Sequence, residues 1–201
     1  MSASISLLSS PHPCRHIVYP YTDEDKAINA VHLFANSGLG KGESVVLIMS
    51  DLRCEAIKGR LAQGGIDVAA QQAGGRLKCL SADSMLCTFL RGGVLNDRLV
   101  TDTLARVIDK AREGSPSRRV RVFGEMVSLL LARNEAAVAE RLEELWNGII
   151  ESRSISLLCT YALLDSGYAT LPETIAKLHT HSIDSWFPDT RVAAQGTSAN
   201  D

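Results

Sequence analysis

The chain has 201 residues, 45% of them hydrophobic and 22% charged, with a formal net charge of −2. A chain of this length can bury a full core without disulfides, and its near-neutral charge gives no sign of a nucleic-acid or polyanion surface. The five cysteines are odd in number and form no CxxC pair, and no apolar run approaches a membrane span, so we expect a soluble, cytoplasmic protein with one domain and two tails.

The first strand is predicted at His16–Tyr21. Residues 1–15 before it are rich in serine and proline, which predicts a disordered N-terminal tail. Pro20 removes a backbone donor, so pairing must stop near it or the strand must lie at an edge. The acidic turn Thr22–Asp25 is typical of a helix start, and apolar residues recur at helical spacing from there to Phe34.

Two further strands are predicted, each leading into a helix. Ser44–Met49 is a continuous apolar run, which is typical of a strand buried on both faces. Arg76–Leu80 is a shorter, alternating strand. The residues that follow predict two helices, Ser84–Arg91 and Asn96–Arg112, with Gly92–Gly93 between them.

The segment from Arg118 to Tyr161 predicts a βαβ unit. A β-branched strand at Arg119–Phe123 breaks at Gly124–Glu125, a long helical pattern follows, and the chain returns in a strand at Ile155–Tyr161. Such a unit makes its two strands parallel, with a right-handed crossover.

The long helix of that unit has a clear apolar stripe. Asn134 is predicted to cap its N-terminus. The stripe predicts a core face of Val138, Leu142, Leu145 and Ile149, with Trp146 at its side. The opposite face is predicted to be solvent-exposed and carries Glu140, Arg141, Glu143 and Glu144.

The alternation of β and α patterns defines the fold class. After Tyr161 the chain turns at Asp165–Gly167, and Pro172 suits the first turn of a last helix that reaches about His181. Short connections between alternating elements predict a three-layer α/β fold, with a mainly parallel sheet and helices on both faces. The folded domain is predicted at residues 16–182, followed by a polar tail at 183–201.

The turn after the first strand disfavours ordinary ATP hydrolysis. A P-loop needs GxxxxGK[ST] at that place, so that backbone N–H groups cradle phosphate. The turn here is Thr22–Asp25, which has no glycine and carries three acids that would repel a triphosphate. Gly38–Lys41 is rich in glycine, but it ends a helix and does not open one.

Polar residues follow the predicted strands at the carboxyl rim of the sheet, where open α/β sheets bind ligands. These rim residues are Tyr21, Ser50, Asp51, Asp83, Glu125 and Tyr161. Asp51 and Asp83 also suit helix N-caps, which is the stronger interpretation for them. Glu125 suits a general base or a partner for a helix N-terminus. Cys159 is interpreted as a core thiol, because nothing adjacent would lower its pKa.

Histidine spacing gives only weak support for a metal site. His179 and His181 are an i, i+2 pair, which does not share a face of a helix, and His16 is far away in sequence. The spacings match no known zinc pattern, so we predict no metal. No GxSxG elbow supports a Ser-His-Asp triad.

An ordered series of motifs along the chain resembles one known family. In chain order these are His16-Ile-Val-x-x-Tyr21, Phe34 with Gly38-Leu39 and Gly42-Glu43, Gly65-Ile-Asp67, Gly75-Arg-Leu77, Phe123-Gly-Glu-Met-Val127, Leu142-Glu-x-Leu-Trp-Asn147, Ser156-Leu-Leu-Cys-x-Tyr161 and His181-Ser182. From His16 to Ser182 the chain resembles the MEDS domain, the sensory domain of methanogens, methylotrophs and the dichloromethane-responsive regulator. It departs from that pattern at two positions. Relatives tend to carry a non-proline residue at the position of Pro20, and they often carry a proline at the position of Ala162, directly after the Cys-x-Tyr motif.

The resemblance implies a RecA- or KaiC-like core without a working P-loop, and a cytoplasmic role in sensing small hydrocarbon derivatives. Relatives often carry a histidine kinase, a PAS module or a DNA-binding segment, which implies that this chain signals through a kinase or a transcription regulator. The family positions that match are His16, Tyr21, Glu125, Cys159, Tyr161 and His181.

We therefore predict a non-enzymatic sensory or regulatory domain that binds a small organic ligand and signals through a partner protein. We predict no cofactor and no direct contact with nucleic acid or membrane. A homo-oligomer remains possible. The predicted ligand-binding residues are Tyr21, Ser50, Asp83, Glu125, Cys159 and Tyr161, with His16 and His181 as further candidates. One alternative is an unconventional RecA-like nucleotide-binding protein or weak ATPase, in which Glu125 activates water. Another is an interaction module with no ligand.

Overall fold

A computed structural model describes residues 3–163 and 171–183 of the chain. The strands within those residues are β1 (Arg15–Tyr21), β2 (Ser44–Met49), β3 (Leu77–Ser81), β4 (Leu90–Arg91), β5 (Val94–Leu95), β6 (Val120–Gly124), β7 (Ser156–Ala162) and β8 (His181–Ser182). Six of them form one sheet in the order β3-β2-β6-β7-β1-β8, and every pairing in it is parallel. The predicted parallel sheet is confirmed.

Helices lie on both faces of this sheet. They are α1 (Ala3–Ser9), α2 (Glu24–Gly40), α3 (Asp51–Gln63), α4 (Val68–Ala73), α5 (Ala82–Phe89), α6 (Asp97–Ala111), α7 (Met126–Ala132), α8 (Ala136–Arg153) and α9 (Glu173–Ala176). Alternate strand residues pack with α1, α2 and α3 on one side, called here the α2 face, and with α5 to α9 on the other, called the α8 face. The three-layer α/β class is therefore confirmed.

The central strands explain why the sheet is so hydrophobic. Every residue of Ser44–Met49 is buried, because β2 lies between β3 and β6 and both of its faces are covered by helices. Among the described residues, none of the helices is both long and apolar enough to cross a membrane.

Pro20 is accommodated inside β1 and does not end it. The backbone oxygens of His16 and Val18 accept from the N–H groups of Thr180 and Ile183. The backbone polar groups of every second residue of β1, which include those of Pro20, therefore point towards β8. Strand β8 ends at Ser182, opposite Val18. The missing donor of Pro20 therefore lies on the β8 side of β1, beyond the last paired residue of β8, and does not interrupt the pairing of β1 with β7.

The prediction of a disordered N-terminal tail is wrong for the part that the structure describes. Residues Ala3–Ser9 form α1, and Leu8 is fully buried among side chains of the α2 face. Further on, the N–H of Cys14 donates to the carbonyl of Ile155, 2.8 Å away. Composition predicted disorder because it is an average over the segment, whereas the segment is ordered by a single leucine that packs against residues distant in sequence.

Two helix boundaries differ from the sequence prediction for local reasons. The helix predicted to reach Arg91 ends at Phe89, and β4 and β5 form an antiparallel hairpin around Gly92 and Gly93. Both glycines have positive φ, 60° and 79°, which is what a tight two-residue hairpin turn requires. Asn134 is not the N-cap of α8 either, because its φ of 61° is left-handed and Glu135 takes that position.

The last predicted helix is shorter than expected. Helix α9 ends at Ala176, and His181 lies in β8 beside Ile17 of β1. The chain after α9 does not continue as a helix, because His181 and Ser182 pair with the edge of the sheet at β1. The predicted turn at Asp165–Gly167 and the tail beyond Ile183 lie outside the described residues.

The glycine at position 38 is explained by close packing against a buried cation. A Cβ there would lie 2.8 Å from Cδ and from Nε of Arg121, whose side chain is held by several hydrogen bonds. We expect Gly38→Ala to lower the free energy of unfolding by about 1–3 kcal/mol, through overpacking. The matched control is Gly59→Ala in α3, which has no heavy atom within 4 Å of the added Cβ. It should be neutral or stabilise by up to about 1 kcal/mol, as in an ordinary helix. Equal effects of the two changes in urea titrations would contradict the close contact.

Candidate functional site

Four polar residues meet at the carboxyl rim on the α2 face, around the side chain of Arg53. Its guanidinium donates from Nη1 to Glu125, from Nη2 to the hydroxyl of Tyr21 at 2.8 Å, and from Nε to Glu24 at 2.6 Å. The other carboxylate oxygen of Glu125 accepts from the N–H of Ser50 at 2.6 Å. We call Tyr21, Glu24, Ser50, Arg53 and Glu125 the rim group.

The chain connections explain why the rim group forms there. Strand β2 continues into α3 on the α2 face, whereas its neighbour β6 continues into α7 on the α8 face. Such a divergence between the ends of adjacent parallel strands is the point at which open α/β sheets bind ligands. Ser50 follows β2 and Glu125 follows β6, so they lie on the two sides of that point.

The ionisable side chains of the rim group differ in how deeply they are buried. Glu125 and Tyr21 are buried, at 5% and 7% exposure, whereas the side chain of Glu24 is 56% exposed. Burial raises the pKa of Tyr21 to about 12, although the neighbouring Arg53 guanidinium acts in the opposite direction. The phenol therefore stays neutral at ordinary pH. Arg53 pairs with two carboxylates, those of Glu24 and Glu125. The pairing with Glu24 is the weaker one, because the charge of Glu24 is largely solvated.

Asp51 and Asp83, the other acids predicted at the rim, are not among the partners of Arg53. The N-cap residues of α3 and α5 are Ser50 and Ser81, so both aspartates lie in the first helical turn and not at the cap. Asp83 pairs with Arg133 at 2.6 Å, and both side chains are well exposed. The interpretation of these acids as N-caps is therefore wrong, while a first-turn acid still suits the helix dipole.

A second polar group is buried on the α8 face. It consists of His16 from β1, Cys159 and Tyr161 from β7, Glu143 from α8, and His179 between α9 and β8. We call it the buried cluster. The side chains of His16, Glu143 and His179 are each no more than 1% exposed. The hydroxyl of Tyr161 donates to Glu143, and the ring of His179 lies 4.0 Å from that of His16.

Burial and charge act together on the ionisable groups of the cluster. Burial raises the pKa of Cys159 and of Tyr161 well above their usual values, and the carboxylate of Glu143 adds to both shifts. Burial lowers the pKa of His179 to about 4 despite the nearby carboxylate. For Glu143, burial acts to raise the pKa, but contacts with His16, His179 and Tyr161 outweigh it and hold the pKa below its usual value.

The structure separates the predicted site residues into two groups. Tyr21 packs on the α2 face and Tyr161 on the α8 face, so the two tyrosines do not line one pocket. Cys159 and His16 belong with Tyr161 in the buried cluster. His181 belongs to neither group, since its Nδ1 lies 3.0 Å from the hydroxyl of Thr180, near the outer edge of the sheet.

Four residues of these two groups were not predicted as site residues from sequence: Glu24, Arg53, Glu143 and His179. Glu24 was considered only as part of the acidic turn that starts a helix. Glu143 is fully buried, although helical periodicity placed it on the solvent face of α8. The motif Leu142-Glu-x-Leu-Trp-Asn147 was the available signal, because it marked Glu143 independently of periodicity. His179 was considered only as part of a helix. Arg53 carried no signal, because a lone arginine in the first turn of a helix is usually a surface residue.

The start of α2 is closed to phosphate by its own sequence. The carboxylate of Asp23 accepts from the N–H groups of Asp25 and Lys26, at 3.0 and 3.3 Å. These are amides that a phosphate at a helix N-terminus would need. The structure thus supports the argument from sequence that this turn is not a P-loop.

Comparison with known proteins identifies the class and then the family. The fold is that of KaiC-like proteins: a KaiC-like protein from the hyperthermophilic archaeon Pyrococcus horikoshii OT3 matches with a TM-score of 0.57 and 12% identity, over 88% of this chain and 76% of that one. The sequence profile of the MEDS family, described as the methanogen/methylotroph, DcmR sensory domain, matches residues 15–181. The chain therefore belongs to the MEDS family of sensory domains. No curated protein sequence matches it.

Proposed function

We propose that this chain is a sensory domain which binds a small, hydrocarbon-derived organic molecule at the rim group and passes the signal to a partner protein. Membership of a sensory family supports the role. The observation that carries the choice of site is the linkage of Tyr21, Glu24 and Glu125 through the single side chain of Arg53.

The rim group has one contact that a ligand can replace at low cost. Glu125 is held by both Arg53 and the N–H of Ser50 in a buried setting, so breaking that pair would leave a buried charge. Glu24 is well exposed and its pairing with Arg53 contributes little. A hydroxyl or other polar group of a ligand would accept from Arg53 in place of Glu24, while its apolar part would contact the ring of Tyr21.

Replacing Glu24 also offers a route for the signal. Glu24 lies in the first turn of α2 and Arg53 in the first turn of α3, so their ion pair joins two helices on the same face of the sheet. A ligand that takes over Arg53 releases this link and shifts the relative populations of two α2–α3 arrangements. A kinase or transcription regulator that prefers one arrangement would read the difference.

The test is a thermal-shift titration, preceded by native mass spectrometry of protein purified without added ligand. The compounds are single-carbon and short-chain hydroxylated or halogenated molecules, with ATP and ADP in parallel. A ligand at 100 times its dissociation constant should stabilise the fold by about 2.7 kcal/mol. Arg53→Gln should abolish the shift. Glu24→Gln should strengthen binding, because it removes the charge that competes for Arg53 and leaves only a neutral acceptor.

Asp83→Asn is the matched control, since it removes a rim carboxylate that pairs with Arg133 and not with the rim group. It should leave binding unchanged. If none of the organic compounds stabilises the protein, the small-ligand function is wrong. Stabilisation by nucleotide would instead favour the RecA-like alternative, with Glu125 as the candidate base.

A further inference from the structure

The buried cluster contains four potential metal ligands from four separate parts of the fold. They are Nε2 of His16, Nε2 of His179, Sγ of Cys159 and a carboxylate oxygen of Glu143, and the four ligand atoms lie within 4.8 Å of one another. Sequence spacing could not show this, because residues 16, 143, 159 and 179 follow no zinc-binding motif.

Both imidazoles are oriented as metal-binding histidines are. Nδ1 of His16 lies 2.8 Å from Oδ1 of Asn147, and Nδ1 of His179 lies 2.9 Å from the carbonyl of Ile175. The amide of Asn147 is itself oriented, because its Nδ2 donates to the carbonyl of Leu178 at 3.0 Å. Oxygen acceptors at Nδ1 place a proton there, so the neutral form of each ring presents the lone pair of Nε2 to the cluster.

This assignment leaves one buried oxygen unexplained. Glu143 is fully buried, and its Oε1 accepts from Tyr161. Its Oε2 accepts no hydrogen bond from any described residue, yet it lies 3.1 Å from Nε2 of His16. Two lone pairs facing each other in a dry site are unfavourable, so a cation lies between them in a stable arrangement: either a proton on Nε2 of His16 or a metal ion supplies that charge.

The spacing of the ligand atoms suits a small tetrahedral ion. Zinc bonds to nitrogen, oxygen and sulfur imply ligand atoms about 3.3–3.8 Å apart at a tetrahedral centre. Nε2 of His16 lies 3.6 Å from Sγ of Cys159 and 3.1 Å from Oε2 of Glu143, and all four ligand atoms lie within 4.8 Å of one another, so the ligands would move together slightly around the ion. Thiolate and imidazole together select zinc-like transition ions over magnesium or calcium.

We propose that His16, Glu143, Cys159 and His179 form a binding site for one divalent transition-metal ion of the zinc type. The thiol of Cys159 gives up its proton to solvent as the metal–sulfur bond forms, so binding releases protons. The ion ties the segment that carries His179 to β1, β7 and α8 at once. Asn147, Tyr161 and the carbonyl of Ile175 are positioning groups that hold the ligands in place. The site is on the opposite face of the sheet from the rim group and does not depend on the proposed organic ligand.

The test begins with the metal content of the full chain, purified without a metal-affinity tag. The chelator-treated, reduced protein is then titrated with zinc chloride in competition with a chromophoric chelator. We expect one ion per chain, with release of protons, and a thiolate-to-metal charge-transfer band when Co²⁺ replaces Zn²⁺. Cys159→Ser and His179→Gln should each weaken binding by at least about ten-fold and, for Cys159→Ser, remove the band.

The matched controls are Cys54→Ser, a buried thiol on the α2 face, and His181→Gln, two residues beyond His179. Both should keep the affinity, the charge-transfer band and the stoichiometry. A metal-free chain that binds no zinc would overturn the proposal, as would binding that the controls weaken as much as Cys159→Ser does.

Far-UV circular dichroism of each variant separates loss of the site from loss of the fold. If Cys159→Ser does not fold, the wild-type cobalt spectrum decides: a thiolate band that persists in Cys54→Ser supports the site, and its absence removes it.

Discussion

We expect Arg121→Met to cost about 3–5 kcal/mol of unfolding free energy, which is a large fraction of the stability of a domain this size. Arg121 is 1% exposed in β6, one of the two central strands, and its Nε donates to the carboxylate of Glu43. Methionine fills much of the same volume, but it leaves Glu43 without its cation. The carbonyls of Leu8, Ser9 and Phe34 also lose a donor.

A double-mutant cycle measured by urea denaturation checks this expectation. Arg121→Met combined with Glu43→Leu should be more stable than Arg121→Met alone, because no unpaired charge is then left in the interior. Arg119→Met, two residues earlier and exposed, is the control and should change stability by less than about 0.5 kcal/mol. A cost below about 1 kcal/mol for Arg121→Met would show that the buried ion pair is not formed.

We expect Leu8→Ala to cost about 2–5 kcal/mol, although Leu8 lies in a segment whose composition is typical of a tail. The side chain of Leu8 is fully buried in the cluster of the α2 face, and the backbone oxygen of the same residue accepts from Arg121 at 2.9 Å. Truncation to alanine leaves a cavity against strands and helices that cannot close over it.

Ile5→Ala is the natural comparison, because Ile5 lies in the same helix and is only half-buried. Its cost should be clearly smaller than that of Leu8→Ala. Denaturation monitored by circular dichroism gives both values. Unchanged stability in Leu8→Ala would mean that α1 is not packed on the sheet, as the composition of the segment had indicated.

Helix α8 shows where periodicity alone misleads. The apolar stripe correctly placed Leu142 and Ile149 in the core, and Trp146 beside it is also buried. Glu143 follows Leu142 directly and is buried as well, because His16 and His179 from other elements provide polar partners for it. A hydrophobic pattern counts a carboxylate as solvent-facing, so it cannot detect a position where distant residues compensate the buried charge.

The sequence by itself determined the parallel α/β architecture, since alternating apolar strands and helical patterns with short connections allow few other arrangements. It also determined that Tyr21 and Tyr161 lie in the last residues of two strands and that Ser50 and Glu125 directly follow two others. Only the tertiary structure decided which face each side chain lies on. Strands covered by helices on both sides are apolar at every position, so no alternation marks the two faces. The separation of Tyr21 from Tyr161, and the meeting of His16 with His179, therefore follow from long-range pairing and packing that local patterns do not record.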